Sequence, residues 1–313
     1  MLTTRLGSLA LLLCIQLSLV STALAADGLH IEKADGKLVI TNDGKLVTNY
    51  YYSDKAPKPY FFPVNIPGTD VSFVRPLQEP DADGKYPKSY DHKHHRGIWI
   101  GVEKVKELDH WMEKHPTVNK DIAIEKATGD SVSFIASNEW QDDEKQPVLL
   151  ESTRYTLHAK GLWIVEVTLT PVEDKVMIGD TKEGFLGIRM DDDLRGDAGG
   201  LIINADGLKG EKGAWGKSSA WVDYTGERNG QRIGVALFDD PANFREGLYH
   251  VRNYGLFSIS PFGPSSYSNA KEPEQPVILS KKTPLKLRYG IYIHSGSAEE
   301  AKVAETYQQF LSK

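Results

Sequence analysis

From Gly28 onward, apolar and polar residues alternate with a period of two, in short runs broken by turn residues. GLHIEKADGKLVITNDGKLVTNYYY opens the pattern, and Asp35-Gly36 and Asp43-Gly44 inside it are strong hairpin signals. Comparable runs recur at VSFV, RGIWIGV, DIAIEKATGDSVSFIAS, GFLGIRM, GLIINADG, SAWVDYTGERNGQRIGVALFD, GLFSISPF and LKLRYGIYIH. Glu151 to Pro171 reads as the clearest strand pair, folded at Ala159-Lys160-Gly161. The spacing predicts an all-β fold, a large antiparallel β-sandwich formed by residues 26–313 as one domain. One helix is expected, at the C-terminus. Ser297 and Glu300 have capping-box spacing, and Val303, Tyr307, Phe310 and Leu311 then fall on one face.

The first 25 residues break this pattern and read as a signal peptide. Arg5 is its basic region, Leu9 to Val20 its apolar stretch, and Ala23-Leu24-Ala25 its cleavage pattern. The stretch is shorter than the roughly 20 residues a membrane span needs. No later window is apolar enough to span, so the expectation is a periplasmic or extracellular protein without a transmembrane segment. Leu13 is bulkier than the residue a lipidated Cys14 would require, which disfavours an anchor without deciding it.

Composition narrows the class. The 313 residues are 40% hydrophobic and 26% charged with a net charge of -6, ordinary for a globular chain. The negative balance, with no basic block, argues against nucleic acid as a partner. Cys14 is the single cysteine, so residues 26–313 carry neither disulfide nor thiol chemistry. There is no P-loop, no dinucleotide fingerprint after a strand, no H-E-x-x-H and no G-x-S-x-G.

The chemistry then falls to histidine. Three of nine histidines lie within Tyr90-Asp91-His92-Lys93-His94-His95-Arg96-Gly97, where a polar loop from Gln78 to Asp91 meets the strand RGIWIGV. In an extended chain His92 and His94 would share a face and His95 would point away. Such a pair can give two imidazoles to a divalent metal, with further ligands from His110, His250, Glu103 or Asp109. The same rings can instead act as acid and base on a sugar, or merely pack. Asp91 is placed to orient an imidazole, and Arg96 to bind a carboxylate or a hydroxyl pair, unless it is held in a structural salt bridge.

A second polar segment is Tyr249-His250-Val251-Arg252-Asn253-Tyr254, where an extended chain would put His250, Arg252 and Tyr254 on one face. A third joins Glu183 to Arg189 and to Asp191-Asp192-Asp193. A Glu near an Arg suits a tuned acid or base, and the Asp run suits either Ca²⁺ or, more simply, a solvated turn. Trp99, Trp111, Trp215 and Trp221 are candidates for stacking on sugar faces or for the core.

DHKHHRGIWIG…LDHW and AWVDYTGERNGQRIGVALFDDPAN…YHVRNYGLFSISPFG, with KEGFLGIRM and LRYGIYIHSG, resemble the motifs of bacterial secreted proteins labelled methane oxygenase PmoA-like. Carried over position by position, the motif residues are Asp91, His92, His94, His95, Arg96, Trp99, Trp111, His250, Arg252, Tyr254 and Phe262. Val102 stands where that family usually has His, and Ser260 where it usually has Asn. The label implies an oxygenase. The family's setting among polysaccharide-utilising genes implies a carbohydrate substrate, and its sandwich is similar to the galactose-mutarotase-like supersandwich.

Three functions therefore remain open. The first is a secreted carbohydrate-active enzyme of hydrolase, lyase or epimerase type. In it His92, His94, His95 and His250 do the chemistry, and Arg96, Arg252, Tyr254, Trp99, Trp111 and Glu183 hold a sugar. The second is a metal-dependent oxygenase or metal-binding protein using His92, His94 and His95. The third is a non-catalytic glycan-binding protein.

Overall fold

The computed structural model describes residues 28–313. The expected signal peptide, with Cys14, lies outside them.

Nineteen strands are described. They are β1 (Leu29–Ala34), β2 (Lys37–Asn42), β3 (Lys45–Tyr51), β4 (Tyr60–Val64), β5 (Ile98–Val102), β6 (Thr117–Lys126) and β7 (Thr128–Gly129). There follow β8 (Ser131–Gln141), β9 (Pro147–His158), β10 (Leu162–Pro171), β11 (Lys175–Ile178), β12 (Gly184–Arg189) and β13 (Leu201–Asn204). The last are β14 (Trp221–Arg228), β15 (Gln231–Asp239), β16 (Leu248–Val251), β17 (Leu256–Ser260), β18 (Val277–Ser280) and β19 (Leu285–Ser295). Three α-helices, α1 (Gly210–Ala214), α2 (Pro264–Tyr267) and α3 (Val303–Leu311), and a 3-10 turn at Gly196–Ala198 complete the regular structure. Among the described residues, no helix is long and apolar enough to cross a membrane.

The hairpin turns fall where the sequence signals them, at Asp35-Gly36, Asp43-Gly44 and Ala159-Lys160-Gly161. Nine strands form one antiparallel sheet, in the order β16-β17-β12-β5-β4-β3-β2-β1-β7. Eight form a second, in the order β13-β14-β15-β19-β10-β9-β8-β6. One apolar cluster joins their inner faces, with Phe61, Ile98, Leu186 and Phe257 from the first sheet and Leu157, Trp163, Val165 and Ile291 from the second. Each such side chain contributes about 1.5–3 kcal/mol on burial. This is the antiparallel sandwich that the alternation predicts.

Helix α3 covers part of the outer face of the second sheet, where Val303, Tyr307 and Phe310 meet Leu162, Ile164 and Phe238. The capping box forms reciprocally: the Ser297 N–H donates to Glu300 Oε2 at 2.7 Å, and the Glu300 N–H to Ser297 Oγ at 3.2 Å. It closes a turn ahead of the helix, which begins at Val303. Leu311, expected on the buried face, is instead 36% exposed in the last turn.

The outer face of the first sheet positions the chemistry. Alternation sends Ile98, Ile100, Leu186, Ile188, Phe257 and Ile259 to the core, and their neighbours outward. Register pairing then aligns seven strands in one row, His250–Ser258–Gly187–Trp99–Tyr60–Tyr51–Lys37. Adjacent strands lie about 4.8 Å apart, so the row runs about 29 Å. Gly187 is its hollow, because a Cβ there would lie 2.7 Å from two ring atoms of Trp99 and 2.9 Å from Trp111. Gly187→Ala is therefore expected to destabilise the fold by about 1–3 kcal/mol through overpacking. Urea unfolding measures this, and an unchanged midpoint would show that the two indoles yield without cost.

Candidate functional site

Trp99, Trp111, Tyr60 and Leu256 form a second apolar cluster on this outer face, with Tyr51, Phe62 and Tyr254 packed around it. Trp99 and Trp111 are 2% and 0% exposed, so they floor the site and present no open face to a ligand.

The histidine turn sits on this floor. His92 is not extended, because its backbone is left-handed (φ 44°) and its carbonyl accepts the His95 N–H at 2.8 Å. The expected split, with His92 and His94 on one face and His95 on the other, therefore fails. The cause is distant in sequence: Arg75, 3% exposed, donates from Nη2 to the carbonyls of Asp91 (2.9 Å) and His92 (3.2 Å) and pins the turn. Gly97 makes the exit possible, since a Cβ there would lie 2.0 Å from the Phe61 carbonyl oxygen.

The result is a column of near-parallel rings. Tyr254 stacks on His92 (4.9 Å, 6°), His92 on His95 (4.9 Å, 13°) and His95 on Trp99 (5.1 Å, 19°). His94 meets His95 edge-on at 4.3 Å. The column joins the two motif segments, since Tyr254 comes from the turn that follows β16. That turn also corrects the second expectation: the strand ends at Val251, so Arg252 and Tyr254 are not on a common strand face with His250. The Arg252 guanidinium still lies 5.8 Å from the Tyr254 ring centre.

Asp91 is the electrostatic hub. Its Oδ1 accepts from Arg75 at 2.6 Å and Arg189 at 2.9 Å, and its Oδ2 faces His92 Nδ1 at 2.8 Å. Partial burial pushes the carboxyl upward, but Arg189, His92 and Arg75 outweigh it and hold it at about 2. Against an ionised carboxylate, it is the His92 Nδ1 that carries a proton, which leaves Nε2 as the nitrogen outside the pair. His92 is the open ring, with its side chain 39% exposed.

The other three imidazoles are held neutral. Burial first, then the surrounding cations, lowers His94 to about 3, and burial and His94 push His95 well below its ordinary value. Burial also lowers His250 to about 3. Its Nδ1 donates to the Lys182 carbonyl at 3.2 Å, and Glu183 Oε2 lies 3.9 Å from the same nitrogen. Glu183 is raised above the usual carboxylate range, by burial first, with Glu103 and Asp109 adding to the effect. Burial and then the Glu183 charge push the Tyr254 hydroxyl up to about 12, with Asp91 adding to the effect.

Both arginines expected to grip a ligand are engaged within the protein. Arg96 donates from Nε and Nη2 to Glu113 at 2.7 and 3.1 Å, and Arg252 pairs with Glu211 at 3.1 Å. Glu113 also neutralises buried Lys58 at 3.5 Å, and Lys58 lies 5.0 Å above Trp99. Burial lowers the Lys58 ammonium to about 8.

The residues do not fit a metal. Among the described residues, no group of three or more His, Cys, Asp or Glu is arranged to hold an ion. His92 Nδ1 is taken by Asp91, and Lys58, Arg75 and Arg189 surround the rings with positive charge that opposes a dication. The supplementary ligands are also engaged or remote. Glu103 accepts from Thr181 and Asp109 from the Met112 N–H, while His110 packs on Trp140. The Asp run is paired, with Asp191 on Arg228 and Asp192 on Arg195. Val102 faces the core, away from the cleft.

Arg75, Lys58 and Glu113 had no sequence signal. Each is recognised only by a partner brought from 16 or more residues away.

Comparison with known proteins corrects the family expectation. Residues 37–308 match a family of unknown function (DUF6807), and the chain belongs to that family; no PmoA-like family matches. A search of curated proteins found no match. Among solved structures, galactose 1-epimerase from Lactobacillus acidophilus is 9% identical, covering 86% of this chain and 98% of that one at a TM-score of 0.38. An aldose epimerase homologue from C. elegans is 9% identical, covering 87% and 99% at 0.32. A galactose mutarotase related enzyme from Lactobacillus acidophilus is 11% identical, covering 85% and 97% at 0.31. Overlap at this level carries neither reaction nor substrate over to this chain.

Proposed function

We propose that this protein is a carbohydrate-active enzyme, of hydrolase, lyase or epimerase type, that moves a proton on a bound sugar. The observation that carries this reading is the Asp91–His92 pair, an ionised carboxylate 2.8 Å from the Nδ1 of a solvent-facing imidazole. The carboxylate fixes the tautomer, and Nε2 is free to take a proton. Glu183, raised toward its protonated form beside His250, supplies the opposite role as acid. Asp91 is held down by its cationic neighbours and Glu183 is pushed up by burial, and two carboxyls driven in opposite directions suit acid–base chemistry. Mixed aromatic and polar surfaces suit sugars, which present apolar faces and hydroxyl edges. The same reading places the protein outside the cytoplasm as one domain, in keeping with the leader-like residues 1–25 and the lack of cysteine after them.

The test is proton NMR in D₂O with a panel of neutral and acidic sugars. One spectrum reports epimerisation, elimination and cleavage together. Turnover of one class is expected, and Asp91→Asn should lower it about 10²-fold or more by releasing the His92 tautomer. Binding without change in any sugar would sink the enzyme reading in favour of a glycan-binding protein.

A further inference from the structure

Beyond the histidine column, the outer row of the first sheet continues through Tyr60 and Tyr51 to Lys37. A cavity of about 660 Å³ opens over that end. We propose that it is a second sugar subsite, so that the substrate is a neutral oligosaccharide rather than a single sugar. This rests on the carbohydrate reading above and deepens it.

Four observations support the subsite. The cavity is of ligand size. Its wall is aromatic: Tyr51 and Tyr60 stack at 5.2 Å and 18°, and Tyr86 joins them from the loop before the histidines. Its charges are of both signs, with Lys37 and Lys55 facing Asp35, Asp54 and Glu79, while Arg96 is neutralised by Glu113. Such a lining offers donors and acceptors to hydroxyl groups without selecting an anion. Finally, the cavity adjoins the histidine turn at one residue, Arg96. Arg96 lines it and directly follows His95 in the chain, and Tyr51 lies two strands, about 10 Å, from Trp99. A chain of sugars reaching from the cavity past Arg96 to the exposed edge of His92 would occupy both places.

The experiment uses gluco-, xylo- and manno-oligosaccharides of one to six units, with turnover read by NMR and binding by calorimetry. For the responsive series, kcat/KM is expected to rise about tenfold or more from one unit to four, as remote contacts feed the reacting centre. Tyr51→Ala should abolish that rise, costing the four-unit substrate at least about tenfold more than it costs the single sugar. Lys55→Ala, at an exposed position that spares the apolar cluster, should reduce the rise about two- to threefold if the tyrosine variant folds poorly. Turnover independent of chain length, or an equal loss at every length in Tyr51→Ala, would overturn the subsite. If no sugar is turned over, the enzymatic reading fails and calorimetry decides the subsite alone. Binding that tightens with length and is lost in Tyr51→Ala keeps it, while length-independent binding or none overturns it.

Discussion

His92→Ala is expected to lower turnover about 10²–10⁴-fold, the usual worth of a positioned general base, with little change in the unfolding midpoint. That loss corresponds to about 3–5 kcal/mol of transition-state stabilisation. The two halves of the expectation have different causes. The catalytic loss follows from removing the only ring of the column that combines an oriented Nδ1 with an open edge. The tolerance follows from exposure: His92 projects outward, whereas His94 and His95 are 5% and 1% exposed and hold the floor in place. Imidazole added to the solution should restore part of the rate, because the gap between Tyr254 and His95 would match its shape. A variant that keeps a tenth of the activity or more would remove His92 from the chemistry, and an equally large fall in stability would make its role structural.

His110→Leu is expected to make the protein more acid-resistant, by about 2 kcal/mol at pH 5. Burial lowers His110 to about 3, and the ring packs on Trp140 outside the cleft. In the unfolded chain the same ring titrates near 6.5. Between those values only the unfolded state takes the proton, so stability falls as pH falls, by about 1.4 kcal/mol per pH unit for each such ring. The effect is absent above about pH 6.5 and complete near pH 3. His94, His95 and His250 act in the same direction. Asp239, raised to about 6 by burial, and Glu151, Glu183 and Asp223, also raised by burial, act oppositely, because the folded state binds their protons first. The total curve therefore mixes signs, and the difference between wild type and His110→Leu isolates one imidazole. Urea midpoints at pH 7, 6 and 5 measure it, and parallel curves would show that His110 protonates freely in the folded protein.

The hairpins were legible because a local feature sets them: Asp-Gly turns at 35–36 and 43–44 favour the backbone a tight reversal needs. The histidine cluster was legible as a cluster, and its place at a loop-to-strand junction was correct. Its geometry was not. Alternation holds only for extended backbone, and His92 is bent by a guanidinium 17 residues upstream. Asp91 draws its second arginine from 98 residues away. Tyr254 reaches His92 only because β12 and β17 lie between β5 and β16, an order the local pattern does not encode. For Arg96 the sequence left ligand binding and a structural salt bridge both open, and the fold supplies the salt bridge; its partner Glu113, like Glu211 for Arg252, is invisible until the chain folds. The family likeness read from the motifs likewise gave way to a different family.

The alternation on β5, β12, β16 and β17 also separates two kinds of inheritance. Every second position, such as Ile98, Ile188, Phe257 and Tyr249, specifies the sandwich, and the positions between, such as Trp99, Arg189 and His250, specify the cleft. New ligand preferences can therefore evolve by single substitutions on one set while the other is left untouched. A one-residue insertion within any of these strands would exchange the two sets at once. Lineages carrying this sheet should then diversify by substitution and by changes in the loops, while the lengths of its central strands stay fixed.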